Sequence, residues 1–162
     1  MVNQNKITDN QPDHAQVMIP PPVIYLGLIL LGWLINKIIP LTISSTIWLK
    51  WIGVLFILIA TIIIALSRRE FIKVNTSIRP DKSTTAIIST GPYKISRNPL
   101  YISLTLFHVA ISIVLNNLWI LFMVIPAIIM IVFGVITKEE KYLENKFGQQ
   151  YLDYKSSVRR WF

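Results

Sequence analysis

The chain has 162 residues, 53% of them hydrophobic and only 15% charged, with a formal net charge of +8 and a mean hydropathy of +0.55. A soluble domain carries about 25% charged residues, so this is the composition of a membrane protein. Each crossing takes about 20 apolar residues, so four or five crossings use up the chain and exclude a large soluble domain, and the absence of cysteine excludes disulfides, thiolate metal sites, a Cys nucleophile and palmitoylation.

Residues 1–19 are polar and irregular and lack the basic start, apolar core and cleavage site of a signal peptide. They are expected to form a flexible tail, leaving residues 20–162 as a single membrane domain. The run Pro20, Pro21, Pro22 stops anything upstream, and a first span is predicted over 23–39, with Lys37 snorkelling to the interface. A second span is predicted over 47–66, with Trp48 and Trp51 in the interfacial aromatic belt. A polar loop follows over 67–99. Residues 100–115 form a third apolar segment, slightly short for a span at roughly 16 residues. Asn116 and Asn117 make a tight turn, and 118–136 returns as a fourth segment that Pro126 is expected to kink. Over 137–158, Leu143, Phe147, Tyr151, Tyr154 and Val158 share one helical face opposite charged and amide residues. This predicts an amphipathic helix along the membrane surface or under the bundle, interruptible at Gly148. The fold class is an all-α polytopic membrane bundle of about four transmembrane segments, with a C-terminal helical hairpin and a tail helix.

Charge placement predicts the orientation. Of the 16 basic residues, seven lie between the second and third segments, six follow the fourth, and the turn at Asn116 has none. By the positive-inside rule the loop and both termini are cytoplasmic, in the inner membrane if the source is bacterial. Topology and anionic lipid headgroups account for most of this charge, at about 1 kcal/mol per basic residue near the surface, so membrane lipids are the expected partners and nucleic acid is not.

Soluble active-site patterns are missing. His14 and His108 are far apart in sequence and belong to no metal-ligand motif, so no metal site is predicted, and there is no nucleophile elbow, P-loop or dinucleotide fingerprint. Tyr101, Thr105, His108 and Ser112 fall on one face of the third segment, and a polar face in lipid turns inward, where interhelical hydrogen bonding is its main expected role. In GPYKISRNPLY, residues 91–101, Pro99 sets its own φ and steers Asn98 away from the helical region, so the helix starts at Pro99 or Leu100. Arg97 and Asn98 are then held at a positive helix N-terminus that suits an anionic group. Glu139 and Glu140 sit at the same level of the hairpin, about 100° apart on the helix, so that one faces a site while the other pairs with a basic residue. Taken alone, the glutamate pair reads as a solvated helix end; together the two clusters suit a zwitterionic, partly cationic ligand.

GPYKISRNPLY, the hairpin and KEEKYLENKFGQQYLDYKSSVRRW together resemble the C-terminal half of the isoprenylcysteine carboxyl methyltransferase and phospholipid methyltransferase superfamily of membrane enzymes. The resemblance covers about residues 88–161 and rests on G-P-Y, R-N-P-L-Y, the E-E pair and F-G-Q-Q-Y-L-D-Y in that order. Where many members carry histidine this chain has Asn98, whose amide still hydrogen-bonds. The resemblance implies a methyltransferase that binds S-adenosylmethionine between the third and fourth helices. Gly91, Pro92, Tyr93, Arg97, Asn98 and Tyr101 then line the cofactor site, and Glu139 and Glu140 engage its amino or ribose groups. Arg97, with Arg159 or Arg160, is the candidate for orienting a lipophilic acceptor whose methylated atom is a carboxylate oxygen, amine or thiol. Such a donor is already activated, so alignment and exclusion of water suffice. The competing readings are an NADPH-dependent membrane reductase of the steroid reductase type and a non-catalytic membrane subunit.

Overall fold

The computed structural model describes residues 13–44, 46–80 and 82–161, and every regular element among them is helical. In hydrocarbon the backbone must satisfy its own hydrogen bonds, so apolar runs of this length become helices. Helix α1 spans Pro21–Ile38 and opens on the proline stop, where a missing N–H is harmless. Helix α2 spans Ile47–Lys73 and α3 spans Pro99–Val114. The return limb comprises α4 (Leu118–Phe122), α5 (Val124–Ile131), a π-turn (Val132–Ile136) and α6 (Thr137–Phe147), followed by α7 (Gln149–Ser157). By length and hydropathy α1, α2 and the limb Leu118–Phe147 are able to cross a membrane, and α3 is the shorter apolar helix.

Two local features differ from the sequence-based expectation. Helix α2 continues about two turns past residue 66 because its polar end finds partners: Glu70 is buried and accepts from Lys73 Nζ at 2.6 Å and Thr90 Oγ1 at 2.5 Å. The interruption of the fourth segment falls at Met123 and at the π-turn, so Pro126 lies in the first turn of α5, where its absent N–H removes no intrahelical bond. The tail helix is interrupted at Gly148, as the sequence allowed, with Gly148 in the left-handed region (φ +52°) that only glycine enters freely.

One end of the bundle is closed by asparagines. Asn116 (φ +50°) accepts backbone N–H groups of Ile43 at 3.0 Å and Ser44 at 2.9 Å, and Asn117 caps α4 by accepting from Ile120 N at 3.1 Å. Above this turn the helices approach closely at glycines. A Cβ on Gly32 would lie 2.8 Å from Ile120 Cα, and one on Gly53 would lie 3.1 Å from the Ala110 carbonyl oxygen. Lipid tails are as apolar as side chains, so such close backbone packing, rather than water exclusion, holds the helices together. Gly32→Val is accordingly expected to cost about 1–3 kcal/mol, read as a lowered melting midpoint in detergent, because the facing atoms are backbone and cannot swing aside. The polar stripe of α3 turns inward as expected: His108 Nε2 lies 3.0 Å from the Ile120 carbonyl oxygen, and Thr105 Oγ1 lies 2.6 Å from Tyr25 OH.

At the opposite end the α2–α3 connection, α6, α7 and the N-terminal segment meet. The tail expected over residues 1–19 lies outside the described residues as far as residue 12. From Asp13 onward the chain is seated: Ala15 is buried and its N–H donates to the Pro80 carbonyl at 3.1 Å, and Val17 packs on the core cluster around Ile24 and Ile131.

Candidate functional site

The entrance to α3 is built by a single 3-10 turn, Gly91–Lys94. Gly91 (φ +58°) is pressed against Glu70, with the position of a Cβ only 3.0 Å from Glu70 Cγ, so the turn is bolted to the end of α2. Helix α3 then starts at Pro99, its first residue, with Asn98 outside the helical region (φ −129°, ψ 49°), as the sequence dictates.

The C-terminal segment fastens this entrance from the other side. Arg97 N–H donates to the Arg159 carbonyl at 3.0 Å, and Ser96 Oγ and Asn98 Nδ2 both donate to the Arg160 carbonyl at 3.0 Å. Asn98 therefore directs its amide to the chain itself. Arg159 supplies a backbone carbonyl at this junction, while the neighbouring Arg160 sends its side chain to Glu140, with Nε to Oε1 at 3.1 Å and Nη2 to Oε2 at 2.6 Å. Glu140 Oε1 also meets Arg97 Nη2 at 3.2 Å. Glu139 accepts from Tyr101 OH at 2.7 Å. The two carboxylates thus divide as their 100° offset predicts, one towards the guanidiniums and one towards the α3 tyrosine.

The π-turn sets that aim. Buried positions run Ala127, Ile131, Val135 at intervals of four and then resume one residue out of step at Ile136 and Glu140. The extra residue is taken up by the wide turn, closed by Thr137 N–H and Thr137 Oγ1 (2.8 Å) on the Val132 carbonyl. In an unbroken α-helix Glu140 would stand about 140° from Ala127, facing away from the bundle.

These residues line a cavity between the connection stretches 77–80 and 84–88 on one side and α3, α6 and α7 on the other. Tyr93, Arg97, Asn98, Tyr101, Glu139 and Glu140 line it; Gly91 and Pro92 shape the turn behind it. Sequence reasoning did not assign Tyr142, Leu143, Tyr151 and Tyr154, which also line it. The signal was present in the apolar face of the tail, which packs under the bundle rather than on lipid: Tyr151 is buried and Tyr154 OH donates to the Tyr93 carbonyl at 2.8 Å. Burial raises the phenols of Tyr93 and Tyr151 and pushes Tyr154 up to about 12, so all three are neutral at physiological pH.

The decisive electrostatic feature is Arg97. Its side chain is only 8% exposed, yet Nε and Nη1 have no hydrogen-bond partner among the described residues. A buried guanidinium with open donors at a cavity wall is complementary to a carboxylate or phosphate. Among the described residues no group of three metal-ligating side chains occurs.

An uncharacterized protein of Haemophilus influenzae is 44% identical over 62 residues, which make up 38% of this chain and 98% of that protein. No solved structure matches significantly. The family model described as phospholipid methyltransferase matches residues 48–150, a stretch that runs from the start of α2 through the cavity to the start of α7, and the chain belongs to that family.

Proposed function

We propose that the protein is an S-adenosylmethionine-dependent methyltransferase of the membrane, resembling isoprenylcysteine carboxyl methyltransferase, that acts on a lipophilic acceptor at the cytoplasmic end of the bundle. The observation that carries this reading is the juxtaposition of the open donors of Arg97 with Glu139 and Glu140 in one tyrosine-lined cavity. An amino-acid end has a carboxylate and an ammonium, and these walls offer a complement to each. The residues therefore fit the cofactor: Arg97 holds its carboxylate, and Glu139 and Glu140 face its amino or ribose groups. When bound, the cofactor supplies an electrophilic methyl on sulfonium, and aromatic faces such as those of Tyr93, Tyr101 and Tyr154 favour a cation.

The chain's own contribution is to position and to dry. Tyr101, held by Glu139, fixes one wall, and the Arg97–Glu140–Arg160 cluster fixes the other. Apolar Leu100 and Leu143 exclude water from the space between. The acceptor atom is a carboxylate oxygen, an amine nitrogen or a thiol sulfur, approached in line with the methyl. The family match favours group transfer over the reductase alternative.

Calorimetry of the detergent-purified protein with S-adenosylmethionine, and in parallel with NADPH, tests the assignment; transfer of a labelled methyl group into a total lipid extract follows. Binding of the methyl donor and not of NADPH is expected. The reverse preference, or no binding of either, would sink it.

A further inference from the structure

The cavity wall formed by stretches 76–80 and 82–88 belongs to no helix and is bounded by two left-handed residues, Asn75 (φ +50°) and Gly91 (φ +58°). A connection this long without regular structure inside a packed protein is uncommon and is often a lid. The N-terminal segment ties it down from outside. Asp13 joins the connection to α6: Oδ2 accepts from Ser83 Oγ at 2.6 Å, and Oδ1 accepts from Lys146 Nζ at 2.5 Å and from Tyr142 OH at 3.0 Å. Tyr142, which lines the cavity, in turn accepts from Thr84 N–H at 3.1 Å. Two residues on, the Ala15 N–H holds the Pro80 carbonyl.

We propose that residues 13–16 are a releasable latch that holds this wall closed over the cavity, and that the cavity loads and empties when the latch lets go. The bonds are of the kind that open readily. The Asp13 side chain is 58% exposed and that of Lys146 21%, and an exposed ion pair is worth at most about 1 kcal/mol. The bonds from Lys146 and Ser83 hold the Asp13 carboxyl down at about 2, so the latch stays charged at every physiological pH. At its end Gln16 (φ +50°) supplies a bend, while Val17 stays anchored on the core, so the segment swings without leaving the protein. Local opening on this scale fits the microsecond-to-millisecond range of enzyme lids. The latch stands on packing alone; that its guest is the methyl donor rests on the function proposed above.

The absence of cysteine makes the test clean. In Asp13→Cys/Ser83→Cys, oxidation converts the contact into a reducible covalent one, verified by peptide mapping. Association and dissociation of S-adenosylhomocysteine are expected to slow by at least about tenfold in the oxidised protein and to recover with dithiothreitol. Failure of the two cysteines to join, or unchanged exchange once joined, overturns the proposal. A second arm needs no ligand: Leu143→Cys on the cavity wall is expected to react with a water-soluble methanethiosulfonate at least about threefold faster when combined with Asp13→Ala. Equal labelling rates overturn the latch as well. If the wild-type protein binds no S-adenosylhomocysteine, the function proposed above fails, while the labelling arm still decides the latch.

Discussion

Arg97→Leu is expected to weaken S-adenosylhomocysteine binding by about 30- to 100-fold while shifting the melting midpoint little, because two of the three guanidinium nitrogens it removes, Nε and Nη1, are unused by the folded chain, and Glu140, which loses Nη2, retains Arg160. A hydrogen bond to a charged group contributes about 1.5–3 kcal/mol, and the open Nε and Nη1 offer two. Little of the fold is lost with the side chain. The backbone N–H of residue 97 keeps the Arg159 carbonyl, and Glu140 keeps both bonds from Arg160. Calorimetry and thermal unfolding measured on the same preparation separate the two effects. Binding within twofold of wild type, or a loss that merely tracks unfolding, would show that Arg97 is a structural residue.

Glu140→Gln has the opposite signature. Among the described residues its carboxylate is the only acidic partner of Arg97 and Arg160, and it is about nine-tenths buried. Removing the charge leaves one buried and one half-exposed guanidinium without a counter-ion. Breaking a buried pair from one side costs about 3 kcal/mol, which for a chain of this size lowers the midpoint by about 6–12 °C. Because the burden falls on Arg97, the cost of Glu140→Gln is expected to shrink in the Arg97→Leu background. An additive double-mutant cycle counts against this account, since residues in direct contact couple by about 0.5 kcal/mol or more.

The two predictions rest on different layers of information. Pro99 after Arg97 and Asn98 marked the start of α3 from sequence, since proline constrains both its own φ and the residue before it. The paired asparagines marked the turn between α3 and α4 because Asn tolerates the left-handed region and caps helices. Adjacent glutamates were legible as diverging side chains. What they diverge towards was not. The partners of Glu140 lie 43 residues upstream and 20 downstream, and the apolar face of the tail gave no sign whether it met lipid or protein.

The sequence by itself determined that this chain is a helical membrane protein with its polar residues gathered at one end, because hydrophobic run length and proline and asparagine chemistry act within a few residues. Only the tertiary structure decided that the α2–α3 connection, the N-terminal segment and the C-terminal arginines close around the same cavity. The one-residue phase shift that turns Glu140 inward was likewise hidden, because a π-turn is chosen by what the whole helix packs against and not by its own five residues. Chain geometry is local, whereas a site assembled from residues 13, 97, 140 and 160 exists only after packing brings them together.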